Sequence, residues 1–452
     1  MKICSVVTTK PTGGIAAAYT YAWAQLNSAH LNEAALEKYA SSNVTIQNNY
    51  IKAAGGDAIT TMYVDQPLVQ YNVAEDCSRQ MNPTDYPSGW QRVAAGIWPW
   101  KCKDSVFQYN ECYNNQYAYH GNGDGQAWDA DWTDGTLYQY NYSHGNSRGA
   151  IMFCGAEAVN TTFRYNISEN ELTGPLDLPG NPDAHIYNNT FYMNENIKSI
   201  FDRTGGNAVL ENNIFYYGGS TPLNQNWYPG GTLQYDNNLY YNFANTPSGD
   251  KNAVVVNAGT KVLEDAGSGP SSNTSGIAYI KENASVFDGY KLAEDSPAIN
   301  AGKVITDNNG YDLEHDFFGH ALTDIPEIGA AESDYVTVTA TSNVYNVAND
   351  QISGLAKHTT VKELLKNLKI DSNAQVTVKS GDKVLAENDV VNGGCTVTIS
   401  YGEKSKTYTI VASSDCELKS TVYMMTGTTI KIPSTEKNPA TVSEVKQNVK
   451  TS

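Results

Sequence analysis

An apolar residue, two further positions and then an asparagine recur along the first half of the chain. The phrase appears as Ile46…Asn49, Val69…Asn72, Phe107…Asn110, Tyr138…Asn141, Phe163…Asn166, Ile186…Asn189, Leu210…Asn213 and Tyr235…Asn238. The steps between asparagines are 23, 38, 31, 25, 23, 24 and 25 residues, a repeat of about 24 stretched by two early insertions. Each period holds short strand-like runs, such as 136–142 followed by 148–153, separated by Gly, Asn and Asp turns. A unit this small can cover its apolar face only with the next copy, so the units stack. The pattern predicts an all-β chain built on a parallel β-helix, one coil per repeat. Stacking puts the asparagines in a column where their amides bond from coil to coil. A leucine-rich repeat would need regular leucine spacing and a propeller blade about 40 residues or more, and neither fits.

The flanks read differently. Residues 16–40 are rich in Ala, Leu and Glu and predict a helix, so 1–42 is expected to be a helical cap or the remnant of an upstream domain. The β-helix is expected over 43–333, and its repeat fades through a Gly/Ser-rich stretch at 267–276. Two phrases follow, Ser296-Pro-Ala-Ile-Asn-Ala-Gly302 and Asp316-Phe-Phe-Gly319 with Ile325-Pro-Glu-Ile-Gly-Ala-Ala-Glu332. Over 334–414 the pattern becomes that of a small α+β module. Alternation at 335–339 and between 395 and 411 predicts strands, and Thr360-Val-Lys-Glu363 is a capping box opening a helix over 361–368. Residues 415–452 are Lys/Thr/Ser-rich and suit a linker or truncated tail.

Charge narrows the partners. A net charge of −18 repels phosphate backbones and anionic lipid, which removes nucleic acid and membrane insertion and favours a neutral substrate. With 31 Tyr against 10 Phe, the aromatic supply suits strands with one polar end. The seven cysteines contain no CxxC pair, so no metal site, redox motif or cofactor is expected; most read as small buried hydrophobes, with a Cys77–Cys102 bridge across one insertion the lesser reading. No apolar run reaches membrane-spanning length, and the apolar stretch at the start is too short for a signal peptide.

The insertions carry the candidate chemistry. They hold or adjoin Trp90, Trp98, Trp100, Trp128 and Trp132, five of the seven tryptophans. The segment Gly121-Asn-Gly-Asp-Gly-Gln-Ala-Trp-Asp-Ala-Asp-Trp-Thr-Asp-Gly135 packs four carboxylates beside two of them. Paired carboxylates can protonate a glycosidic oxygen and attack the anomeric carbon, while indole faces stack on sugar rings. If 126–131 is a strand, Trp128 aligns with Ile151 of the next coil and points inward, leaving Asp129 and Asp131 on the outer face. Asp124, on the preceding Gly-flanked turn, can swing over that face; Asp134, in Thr-Asp-Gly, reads as a turn residue. Crowded carboxylates cannot all ionise, so one is expected to stay protonated as a general acid. Gln126, His120, His144, Trp98, Trp100 and Trp132 are the expected substrate-binding side chains.

The run Asp-Gly-Gln-Ala-Trp-Asp-Ala-Asp at 124–131, followed by Gln139-Tyr-Asn-Tyr-Ser-His144 and Gly149-Ala-Ile-Met-Phe-Cys154, resembles the lacto-N-biosidases of glycoside hydrolase family 136 over about residues 43–332. The resemblance implies a right-handed β-helix, two catalytic aspartates seven residues apart, and retaining release of lacto-N-biose from type 1 milk oligosaccharides. Asp124 and Asp131 have that spacing, which implies Asp124 as acid/base and Asp131 as nucleophile, with Asp129 in support. It also implies an upstream N-terminal domain or a separate folding helper chain. The 334–414 module resembles repeats of Gram-positive surface proteins, implying an extracellular or cell-wall address. A β-helix polysaccharide lyase with calcium is the nearest other enzyme, though the insertions offer few cations (Arg79, Arg92, Lys101 and Lys103) for an anionic polymer. A non-catalytic carbohydrate-binding adhesin would account for the tryptophans and leave the carboxylates without a use.

Overall fold

The computed structural model describes residues 38–78, 94–116, 124–270, 284–306, 309–323, 325–333, 335–371 and 373–411, and the strands Cys4–Val7, Ile15–Ala17, Met424–Thr426 and Thr429–Lys431. The chain divides into two units, Met1–Tyr335 and Val336–Ser452.

The first unit is a parallel β-helix whose coils contribute one strand each to three sheets of ten, eight and six strands. In one coil, Trp128–Asp131 lies in the six-stranded sheet, Leu137–Gln139 in the eight-stranded sheet and Tyr142–His144 in the ten-stranded sheet. The run at 136–142 is therefore two strands rather than one. It breaks at Tyr140, whose φ of 56° is left-handed, a conformation that sequence rules reserve for Gly, Asn and Asp. Tyr71, Tyr109 and Tyr165 take the same turn on neighbouring coils. There the rings stack as a column, with centroids 4.9 Å apart for Tyr71 and Tyr109 and 5.1 Å for Tyr109 and Tyr140.

The repeat phrase is the register of the helix. Its apolar members, from Ile46 through Phe107, Tyr138 and Phe163 to Tyr235, pair in one inward column of the eight-stranded sheet. Burying each stabilises the coil by roughly 1.5–3 kcal/mol. The asparagine column forms as expected. Each Nδ2 from Asn49 to Asn213 donates to Oδ1 of the next coil's asparagine at 2.9–3.1 Å. The same Oδ1 accepts the preceding coil's asparagine backbone N–H, so one amide oxygen serves both donors of that residue. The column ends on Asp250, whose Oδ2 takes Asn238 Nδ2 at 3.0 Å and Tyr240 Oη at 2.8 Å. On the outer face of that sheet Gln47, Gln70, Gln108 and Gln139 form a second ladder, closed by the fully buried Arg164.

At the start of the chain the expected helix gives way in part to coil. Ile15–Ala17 pairs in parallel with Ile59–Met62, and Cys4–Val7 with Asn49–Lys52, so β-helix strands precede Asn43. Ala16 and Ala17 are extended, and Lys38 and Tyr39 are helical; the rest of the helix expected over 16–40 lies outside the described residues. These first strands lack the asparagine mark, so periodicity could not register them. Cys77, Cys102, Cys112, Cys154 and Cys395 are free, so Cys77 and Cys102 make no bridge. Their thiols donate to the carbonyls of Glu75 and Thr61 instead.

The segment after the repeats runs along the tyrosine and asparagine corner as a strap. Asn237 donates to Ala301 O, Asn212 to Lys303 O, Asn188 to Glu327 O and Gly329 O, and Tyr140 to His315 O. The strap buries Glu327 and Glu332 against one another; burial raises both carboxyls, and the contact they share raises Glu327 further while it holds Glu332 back. A carboxyl raised in the folded state binds its proton more tightly there than in the unfolded chain. Stability from this pair is full below the ordinary glutamate range and declines as pH rises above it. Melting temperature should fall between pH 5 and 8.5, and Glu327→Gln should flatten that slope; an unchanged slope would show that the pair is not linked to folding.

In the second unit, Thr360 caps the helix Val361–Lys366 through the expected box with Glu363, two residues shorter than the pattern suggested. Thr396–Tyr401 and Lys404–Ile410 pair antiparallel. The alternation expected to be a strand at 335–339 forms none; a two-residue strand, Ala340–Thr341, follows it and pairs with Lys369–Ile370. The tail at 415–452 lies outside the described residues, apart from a small hairpin of Met424–Thr426 with Thr429–Lys431.

Candidate active site

Register on the six-stranded sheet decides which side chains meet. Ile59, Ile97, Trp128, Ile151 and Leu176 form one inward column, and Trp128 is fully buried as expected. Alternation then turns Asp129 and Asp131 outward, Asp129 beside Met152 with Asp177 one strand beyond it, Asp131 between Trp100 and Cys154. Outward here does not mean solvated. Asp129 is 3% exposed and Asp124 8%. Gly125, at φ 109°, gives the turn that carries Asp124 over this face, a backbone state closed to other residues.

Asp129 and Asp131 each keep one buried oxygen with no partner among the described residues. Burial raises Asp129 well above the carboxylate range, and the charges of Asp131 and Asp124 add to it. Asp131 is raised by burial as well, against the Cys154 thiol that donates to it and the Lys101 ammonium nearby. Asp124 is pushed up to about 6 by burial, a rise moderated by Arg203 and reinforced by Asp177. Near neutral pH the cluster therefore holds protons it can give away, the condition for general acid catalysis.

The walls come from other coils. Arg203 Nη2 lies 3.5 Å from Asp124 Oδ1 and also forks onto Asp177, which is fully buried. Gln126, expected on the substrate, gives its amide to Asp177 at 2.5 Å. On the opposite side Asp57 accepts the Trp98 indole N–H at 2.9 Å and the Ala95 N–H at 3.0 Å, and burial pushes its carboxyl up to about 6. Trp98 is thus covered, its ring edge spent on Asp57. Trp100 and the 38%-exposed Trp132 are the more open rings, with the Lys101 ammonium 5.6 and 5.2 Å from their centroids. Trp132 can lie close to the next coil because position 155 is glycine: a Cβ there would meet the indole nitrogen at 2.6 Å.

Of the histidines, His144 is not brought to the aspartates. It lies in the ten-stranded sheet, stacked on Tyr113 at 4.6 Å and 3.6 Å from Glu111, because its strand follows a corner that turns away from Asp129 and Asp131. His120 and Trp90 lie outside the described residues, as do Arg79 and Arg92. Asp134 accepts from Asn160 Nδ2 at 2.7 Å, in keeping with a turn role. Sequence reading missed Asp57, Asp177, Arg203 and Cys154. Counting forward from Asp129 by whole repeats reaches Met152 and Asp177, so Asp177 at least was within reach of that count. Among the described residues, no three His, Cys, Asp or Glu side chains are arranged to hold a metal ion, and no helix is long and apolar enough to cross a membrane.

No family model matches the chain. It is 46% identical to a lacto-N-biosidase. That relative, from Bifidobacterium longum subsp. longum, aligns over 411 residues, 83% of this chain and 26% of its own length. The chain therefore spans about a quarter of the curated relative it matches. The solved lacto-N-biosidase of glycoside hydrolase family 136 from Eubacterium ramulus is similar at 43% identity in its native form and 42% as the selenomethionine derivative. Each comparison covers 44% of this chain and 32% of that one, with TM-scores of 0.40 and 0.39.

Proposed function

We propose that the chain is the catalytic part of a retaining glycoside hydrolase, a lacto-N-biosidase that releases lacto-N-biose from type 1 oligosaccharides. The observation that carries the reading is Asp131 turned outward with a partnerless buried oxygen, and Asp124 on the turn before its strand, near enough for its charge to raise the Asp131 carboxyl. Similarity to a lacto-N-biosidase supports the substrate class. Burial raises Asp131 to about 7, above Asp124 in the free site; the electron-poor anomeric carbon beside Asp131 favours its carboxylate and leaves the proton on Asp124, which gives it to the leaving glycosidic oxygen. The Asp131 carboxylate attacks the anomeric carbon as the C–O bond breaks, forming a covalent glycosyl ester. Asp124, now a carboxylate, takes a proton from water, which attacks the same carbon and frees Asp131. Asp129 remains protonated and donates to a sugar hydroxyl or to the ester oxygen. Trp100 and Trp132 hold the pyranose faces.

Incubation with a type 1 tetrasaccharide, followed by proton NMR of the first-formed product, tests this. Release of a β-configured disaccharide supports it; an α-configured disaccharide would mean inversion. A product with an unsaturated uronate, lost on chelation, would point to a lyase. Binding without turnover would point to an adhesin.

The address we propose is extracellular or cell-wall associated, and folding is expected to draw on an upstream domain or helper chain. Strand Cys4–Val7 ends the ten-stranded sheet among the described residues, and an edge of that kind needs cover. Co-production with an upstream helical partner should raise soluble, active yield several-fold. Full activity of the 452-residue chain made alone would remove the dependence.

A further inference from the structure

Asp177 is the best-buried charged group near the aspartates, at 0% exposure, and it holds two things at once. Its Oδ1 and Oδ2 each take Arg203 Nε at 2.9 Å, and Oδ2 also takes Arg203 Nη2 and Gln126 Nε2, both at 2.5 Å. Gln126 is two residues from Asp124 on the same loop. One buried carboxylate thus ties down the loop that carries Asp124 and the cation that faces it. The neighbouring acid does not compete for that cation, because Asp202 is taken by Arg148 Nε at 2.6 Å. Arg203 is left with a planar fork fixed on Asp177 and an Nη2 that reaches Asp124 Oδ1 at 3.5 Å.

We infer that Arg203, clamped by Asp177, is a positioning residue that orients Asp124 and supplies the cation that lets it alternate between acid and base. The inference rests on the acid/base role proposed above for Asp124. In the first half-reaction Asp124 must be protonated while Asp131 is an anion. After the ester forms, the Asp131 charge is gone, and Asp124 must hold a carboxylate to accept a proton from water. A fixed guanidinium favours the carboxylate at all times, while the Asp131 charge opposes it only in the free enzyme. The loss of one charge then switches Asp124 between its two roles with no movement of protein. The other groups facing Asp124 are Asp57 from an earlier coil, Asp129 and Asp131 on the strand that follows its turn, Cys154 on the next coil, and Asp177 and Arg148 beyond. Arg203 and Arg148 are the cations in that set, and of the two only Arg203 has a polar atom within 4 Å of Asp124.

Removing the cation raises the proton affinity of Asp124, so its acid form survives to higher pH and the alkaline limb of kcat/KM moves up. Arg203→Gln, which keeps a donor for Asp177, should move that limb by about one pH unit. Arg203→Lys keeps the charge but cannot span both acids, so it should move the limb the same way by less. It keeps the test usable if the glutamine variant does not fold. Melting temperatures are recorded for both. A purely structural ion pair would lower stability and leave the limb where it was; that result, or an acid shift, in variants of an active wild type overturns the inference. A wild type that fails to cleave an aryl β-lacto-N-bioside overturns the functional reading instead.

Discussion

Hydrolysis of a natural type 1 oligosaccharide should fall by about 10²–10⁴-fold in Asp124→Asn and by at least as much in Asp131→Asn, with the fold intact. Neither side chain is a packing element. Each carries a raised carboxyl, which folding holds at a disadvantage in its charged form, so a neutral amide of the same shape should leave melting temperature level or higher. The two roles can be told apart in the glycine variants, with azide and an aryl glycoside bearing a good leaving group. Asp124→Gly has no acid to lose on such a substrate, forms the ester, and should be rescued by azide to a β-glycosyl azide. Asp131→Gly has no nucleophile, so azide should take its place directly and give the α product. Interchanged anomers would reverse the two roles; near-wild-type turnover in either asparagine variant would remove the pair. Asp129→Asn should be intermediate, since Asp129 is the most firmly protonated of the three and an amide keeps its donor.

How much of this was legible follows from what repeats. Stacking fixes register, and register is periodic, so the asparagine phrase was enough to place Tyr138 over Phe107, and matching the strand-like runs of successive coils placed Trp128 beside Ile151. The outward aspartates followed from strict alternation along one strand. What was not legible is aperiodic. Left-handed tyrosines such as Tyr140 split an apparent strand in two, and no sequence rule favours tyrosine there. The first strands, at Cys4–Val7 and Ile15–Ala17, carry no asparagine and were hidden behind a helix-like composition. Arg203 lies in a turn between coils, where the repeat has no fixed phase, and nothing in its neighbourhood marks it apart from the aspartate it meets. His144 shows the converse error: nearness in sequence to Asp131 was mistaken for nearness in space, although one corner of the coil separates their sheets.

The tryptophans should separate into two classes. Trp128→Ala should cost about 3–5 kcal/mol of stability, read from denaturant unfolding, because the indole is fully buried in the inward column and packs 5.9 Å from the Tyr138 ring. Its indole N–H has no partner among the described residues, so part of that side chain works against the fold. Trp128→Phe removes that N–H with a smaller loss of volume and should cost only about 1 kcal/mol. A phenylalanine variant as unstable as the alanine one would mean the N–H is satisfied. Trp100→Ala and Trp132→Ala should do the opposite, raising KM by several-fold to about 10-fold with little change in unfolding, since their rings are only partly covered and sit beside the aspartates. Trp98 stands between the classes, because its N–H holds Asp57 in place. Trp98→Phe keeps most of the ring and frees Asp57, so it should lower kcat/KM more than it lowers stability. If Trp98→Phe instead lost stability with kcat/KM unchanged, the Asp57 contact would be an anchor for the coil with no bearing on substrate.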